Sequence, residues 1–342
     1  MIKIEIILLT NNVVLPFQNL NYDYGLEFIE LNKLFSTRSL AEHGLGFLIN
    51  VYKLINSQNK ENFKLIKKII FDTGGPNLTY LHNLDIRKAT LHDVDFIILS
   101  HWHYDHIGGL YKILERIGKR VPIICHENSQ YERFFKRSED VKKEDLLGKT
   151  RQEILPLLTE SKIVNQKSID LELIKKLKGE VIFSKDAYEI LNIDELKITL
   201  SGEIPRTHKD EDFDNAIFLQ DNILKIDKIH DDKCLILEFK EKVALLNGCC
   251  HSGLKNTLDY VKKLTNKPIT YIIGGLHMAG ASDKRITNTI EYLKRFQEYK
   301  ESLYMFPIHC SGDKFIKAIE KENLPQIKAF NTSVGTKFTL CL

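Results

Sequence analysis

The chain has 342 residues, 43% hydrophobic and 28% charged, with 49 Lys+Arg against 46 Asp+Glu and a net charge of +3. These values exclude a disordered chain and a disulfide-stapled miniprotein, and the charge balance gives no ground for nucleic-acid binding. The length fits one large domain or two ordinary ones at roughly 100–200 residues each. No C-x-x-C pair occurs among the six cysteines, and Cys249 and Cys250 are adjacent, which suits thiols in a reducing interior. A cytoplasmic location is expected. No run approaches the roughly 18 apolar residues of a membrane span, and Met1–Leu9 meets Thr10-Asn11-Asn12 where a signal peptide would carry a cleavage site.

In chain order, Ile2–Leu9, Gly46–Leu54 and Leu65–Phe71 read as strands. The third runs into the turn Asp72-Thr73-Gly74-Gly75. Val94–Leu99 is a short apolar strand, Leu110–Ile117 a helix and Val121–Cys125 a strand, which is an α/β rhythm. The stretch of about 127–178 is rich in Lys, Glu, Asp and Leu and reads as a mostly helical insertion with solvated charges. Strands resume at Val181–Phe183, Leu196–Leu200, Cys234–Phe239 and Val243–Leu246. A helix from Leu254, a strand Ile269–Ile273, a helix near Ile286–Phe296, a strand Leu303–Ile308, a helix from Lys314 and a strand near Lys337–Leu340 complete the chain. The two halves share a rhythm of strands then helices.

The decisive segment is Ser100-His101-Trp102-His103-Tyr104-Asp105-His106-Ile107-Gly108-Gly109. Extended backbone alternates its side chains, so His101 and His103 project to one side. Asp105 and His106 follow at the turn into a helix, and Gly108-Gly109 let that turn pack closely. Neutral imidazole and carboxylate suit zinc, and also iron or manganese. The expected cofactor is one or two divalent transition ions, zinc first, bound here and by residues from later in the chain.

This H-x-H-x-D-H pattern resembles the metallo-β-lactamase superfamily, and Phe71-Asp72-Thr73-Gly74 resembles its early Asp-Thr-Gly, whose Asp orients the histidine loop. Further motifs fall in order: Glu42-His43-Gly44-Leu45, Ser201-Gly202-Glu203-Ile204-Pro205-Arg206, Gly248-Cys249-Cys250-His251-Ser252-Gly253, Gly274-Gly275-Leu276-His277 and Ile308-His309-Cys310-Ser311-Gly312. Together they resemble the 7,8-dihydropterin-6-methyl-4-(β-D-ribofuranosyl)aminobenzene 5'-phosphate synthase family, a dihydropteroate-synthase-like branch, over about residues 1–340. Departures include Asn11 in place of an acidic residue, Gly46 in place of Ser, Cys250 in place of Ser or Ala, and the extra stretch Asn56–Asn62. The resemblance implies a single domain over 1–342 with a four-layer αββα sandwich.

It also implies site roles. Metal ligands are His101, His103, Asp105, His106, His251 and His309. Asp72 and Cys249 stand behind them, although Cys249 occupies the place of a bridging Asp and is either a thiolate ligand or a small buried hydrophobe. Asp105 and His277 are the candidate catalytic groups. Arg206, Glu203 and His43 are candidate substrate contacts; for Arg206 the alternative is a surface ion pair with Glu203 or Asp210. His251 precedes a helix, whose N-terminus disfavours the imidazolium. The implied reaction condenses a dihydropterin-methyl pyrophosphate with a ribofuranosyl-aminobenzene phosphate and releases pyrophosphate, a step of methanopterin biosynthesis. Two alternatives remain open: a metal-dependent hydrolase of a phosphodiester, lactone or thioester, and a non-catalytic metal-binding interaction protein. The expected partner is a phosphorylated small molecule, with neither nucleic acid nor membrane; the oligomeric state is left open.

Overall fold

The computed structural model describes residues 1–15, 29–33, 38–55, 63–211, 216–296 and 302–341. The Asn56–Asn62 stretch lies outside them. Two large sheets form the body. The first orders its strands Ile29–Lys33, Thr336–Cys341, Ile2–Thr10, Gly46–Leu54, Phe63–Phe71, Phe96–Ile98, Val121–Cys125 and Gly179–Phe183. The second orders Tyr188–Ile193, Leu196–Leu200, Cys234–Phe239, Lys242–Asn247, Ile269–Gly274, Leu303–Pro307 and Ile327–Ala329. Each begins antiparallel and turns parallel partway across: at Phe63–Phe71 against Phe96–Ile98 in the first, and at Lys242–Asn247 against Ile269–Gly274 in the second. The shared rhythm of the two halves is this repeated switch.

Apolar alternation explains the layering. Ile4, Ile6, Leu8, Phe47, Ile49 and Phe71 from the first sheet meet Ile198, Leu237, Leu246, Tyr271 and Phe306 from the second in one buried core. The outer face of the first sheet packs under the helices Thr79–Ile86, Leu110–Ile117 and Leu171–Lys176. That of the second packs under Leu254–Leu264, Asp283–Phe296 and Asp313–Glu322. The architecture is an αββα sandwich. Among the described residues, no helix is long and apolar enough to cross a membrane.

The stretch 127–178 differs from the mostly helical expectation. Glu132–Lys136 and Ile163–Gln166 are strands, and they join Ala216–Gln220 and Ile223–Asp227 in a third, four-stranded sheet. Its helices, Leu155–Thr159 and Leu171–Lys176, are short. The strand partner of Glu132–Lys136 lies far along the chain, so no local pattern announces the pairing, and tertiary context overrides the helical leaning of Lys, Glu and Leu. Phe134, Val141, Leu146, Ile154, Ile217 and Leu224 give this sheet a small core of its own.

Candidate metal centre

The site lies where the parallel strands of both sheets end, the edge at which open α/β sheets bind ligands. Phe63–Phe71 delivers Asp72, Phe96–Ile98 delivers the histidine loop, Lys242–Asn247 delivers Cys249 and His251, Ile269–Gly274 delivers His277, and Leu303–Pro307 delivers His309 and Cys310. Several of these exits turn through left-handed backbone on residues other than glycine: Asp72 at φ 57°, Cys250 at 63°, His277 at 49° and His309 at 55°. Such positions cost about 1–3 kcal/mol each and cluster at functional sites. Gly109 permits the turn after the loop, because a Cβ there would stand 2.4 Å from the Thr73 carbonyl oxygen.

Asp72 is fully buried and faces the loop. One carboxylate oxygen accepts from the Ser100 N–H at 2.7 Å; the other lies 2.7 Å from both Ser100 Oγ and His106 Nδ1. Ser100 Oγ in turn meets His101 Nδ1 at 2.9 Å. His309 Nδ1 lies 2.9 Å from Asn12 Oδ1, and Asn11 Oδ1 accepts from the His309 N–H at 3.0 Å. The outer nitrogens of both His106 and His309 are thereby anchored, and their Nε2 atoms face each other at 3.2 Å.

Two groups of possible ligands share one sulfur. Asp105, His106, Cys249 and His309 form one; His101, Cys249 and His251 form the other. Cys249 Sγ is 3.1 Å from His106 Nε2, and Asp105 Oδ2 is 3.2 Å from His309 Nε2. The His103 ring lies 4.5 Å from that of His101 and 4.8 Å from that of His251. The sulfur of Cys249, for which the sequence leaves a thiolate ligand and a small buried hydrophobe both open, sits at the junction of the two groups. A third group, Cys249, His277 and Cys310, adjoins it.

The donor set fits divalent transition ions. His103 Nε2 and both ring nitrogens of His251 are buried without a hydrogen-bond partner among the described residues, a costly state that a cation relieves. Burial holds His101, His103 and His251 well below the ordinary imidazole range, with neighbouring imidazoles adding to the effect. They are neutral at pH 7 and present lone pairs. At His106 burial acts in the same direction, but Asp72 and Asp105 outweigh it and raise the ring to about 9. Burial pushes the Asp105 carboxyl upward, yet His106, His309 and His43 hold it well below the usual carboxylate range. Imidazole, carboxylate and thiol together are the ligands zinc takes.

A cavity of about 340 Å³ opens onto this cluster. His103, Asp105, Cys249, His251, His277 and His309 line its floor; Phe134, Phe135, Lys136, Lys143, Leu146 and Ile217, from the third sheet and its loop, line a wall. His43 reaches the cavity, its Nε2 3.2 Å from Asp105 Oδ2. Arg206 and Glu203, expected to contact substrate, are not part of the lining. Arg206 donates to the carbonyls of His251 at 2.7 Å and Ile229 at 3.0 Å, and to that of Lys228. Glu203 pairs with His126 at 3.0 Å. The segment after Pro205 turns behind the His251 loop, so the guanidinium supports that loop from outside. Sequence reasoning gave no role to Ser100, although it opens the histidine segment, and missed Asn12 and Arg133, which carry no motif, and the lysines of the cavity wall, which look like solvated charge.

Residues 66–184 match the model of the metallo-beta-lactamase superfamily. An uncharacterised protein of Methanocaldococcus jannaschii is 26% identical over 283 residues, 83% of this chain and 89% of that one. The 7,8-dihydropterin-6-methyl-4-(β-D-ribofuranosyl)-aminobenzene-5'-phosphate synthase of the same organism is 29% identical over 285 residues, 80% of this chain and 82% of that one. A solved metal-dependent hydrolase of the β-lactamase superfamily superposes with a TM-score of 0.64 over 98% of both chains, at 17% identity. That last likeness is one of fold.

Proposed function

We propose that this chain is a dinuclear metalloenzyme of the synthase type, which joins a dihydropterin-methyl pyrophosphate to a ribofuranosyl-aminobenzene phosphate and releases pyrophosphate. The observation that carries the reading is the meeting of two ligand groups at Cys249 on the floor of one cavity. Similarity to the synthase over 80% of the chain supports the choice of substrates.

His101, His103 and His251 would hold one ion; Asp105, His106 and His309 would hold the other, with Cys249 between them. The bound ions would supply positive charge against the departing pyrophosphate oxygens. Asp72 keeps Nδ1 of His106 engaged so that Nε2 faces inward, and Asn12 does the same for His309. Phe134, Phe135, Leu146 and Ile217 offer an apolar wall for the flat pterin or benzene ring. Lys136 and Lys143 supply the cationic contact to phosphate that the sequence assigns to Arg206. The attacking amine loses one proton as the new bond forms, and His277 on the cavity floor takes it.

Incubating the metal-loaded chain with both substrates tests this. Pyrophosphate and the coupled pterin are expected in equal amounts. Pyrophosphate from the pterin substrate alone, with water taking the place of the amine, makes the chain a hydrolase and overturns the transferase reading.

A further inference from the structure

Cys249 Sγ and Cys310 Sγ stand 3.4 Å apart. Their strands, Lys242–Asn247 and Leu303–Pro307, are not neighbours: Ile269–Gly274 runs between them. The sulfurs meet only because the residue just after the middle strand is Gly275. A Cβ there would lie 2.8 Å from Cys310 Sγ and 3.2 Å from the Cys249 Cα, so any side chain would push into the gap. Both thiols line the cavity, so a small solute reaches them without unfolding. Among the described residues, no other pair of cysteines is so placed: Cys250 turns to Thr257 and Cys125 to Ser129.

We propose that Cys249 and Cys310 are a modification site, a thiol pair that a peroxide converts reversibly into a disulfide, and that this bond withdraws Cys249 from the metal centre. The effect on metal rests on the reading of Cys249 as a ligand; the disulfide does not. The Cys310 sulfur attacks the peroxide, and the O–O bond breaks. One oxygen stays on sulfur as a sulfenic acid, and the other leaves as water with the thiol proton. The Cys249 sulfur then displaces the hydroxyl, the S–S bond forms, and the hydroxide leaves as a second water with the Cys249 proton, or with a proton from solvent where metal already holds Cys249 as the thiolate. Two thiols lose two electrons in all, and one peroxide is reduced to two waters. The sulfurs need only close from 3.4 Å to about 2.05 Å. Cys249 belongs to both ligand groups; in the disulfide its sulfur is neutral and bonded elsewhere, so both ions lose a donor at once.

The metal-loaded full chain is treated with one equivalent of hydrogen peroxide, alkylated, digested and read by mass spectrometry, while a chromogenic chelator follows released metal. A linked peptide containing Cys249 and Cys310 is expected, lighter by two hydrogens and split again by dithiothreitol, with metal released in step. In Cys310→Ser the link is absent, Cys249 is recovered alkylated and peroxide-driven release is lost. If the wild-type chain yields no linked peptide and both cysteines are alkylated or separately over-oxidised, the disulfide is wrong while the metal reading stands. If the link forms in a chain that never bound metal, the metal reading fails and the disulfide stands.

Discussion

Arg133 Nη1 donates to the carbonyl of Trp102 at 2.5 Å, tying the residue between the two loop histidines to a strand outside both main sheets. The same guanidinium reaches Asp227 and Asp231 at 2.6 Å, and Asp231 accepts from the Trp102 N–H at 2.7 Å. Gln166 donates to the same carbonyl at 2.6 Å. The adjacent Asp232 accepts from the Ser252 N–H at 2.7 Å, beside His251. The third sheet and the 231–232 pair therefore hold both histidine-bearing loops.

Arg133→Met leaves Asp227 and Asp231 buried without their cation. Breaking a buried pair this way costs about 3–5 kcal/mol. A lower urea midpoint is expected, with weakened metal binding, because the loop loses its anchor. A midpoint equal to that of the unmodified chain contradicts this.

Acid should act through Asp231. Burial raises its carboxyl, but Arg133 and the Trp102 N–H outweigh burial and hold it below the ordinary range. A carboxyl lowered in the folded state stabilises fully above its unfolded value of about 3.9, and that contribution is lost as pH falls through the lower folded value. Urea midpoints measured across that range should fall more steeply with acid in the wild type than in Asp231→Asn, which starts less stable at neutral pH. Parallel curves would remove Asp231 from the account of acid stability.

Asp72→Asn keeps the shape but weakens the hold on His106 and Ser100. Metal affinity should fall roughly 10–100-fold with the fold intact. Trp102 is the sole tryptophan and is buried inside the loop, so its emission during titration of the metal-free chain reads the affinity directly. Identical titration curves for variant and wild type speak against the assignment.

Arg206 and the cavity lysines should separate cleanly. Arg206→Ala removes donors to three carbonyls around the His251 loop, so a lower melting temperature is expected, with competition by pyrophosphate unchanged. Lys143→Ala should raise KM and weaken that competition, the pattern of lost substrate binding. The opposite result would return the phosphate role to Arg206.

Much of this site was legible in the sequence because its residues sit one step beyond apolar strands, where a buried run changes abruptly to His, Cys and Gly. His101, His103, Asp105, His106, His251 and His309 all converge. The illegible parts depend on contacts distant along the chain. Glu132–Lys136 has too little alternation to look like a strand, and its partner comes from residues 216–220. Arg133, Asp231 and Asp232 look like solvated charge until the fold buries them. Cys249 could be placed near the site, but only the meeting of Lys242–Asn247 with the histidine loop puts its sulfur between two ligand groups. The turn after Pro205 decides that Arg206 faces away, and no local pattern encodes it.

Anomalous X-ray diffraction from crystals of the metal-loaded chain tests the dinuclear centre most directly. Two peaks are expected at the cavity floor, one among His101, His103 and His251 and one among Asp105, His106 and His309, with Cys249 Sγ between them. A single peak closed off by four protein ligands, or peaks away from Cys249, would contradict it.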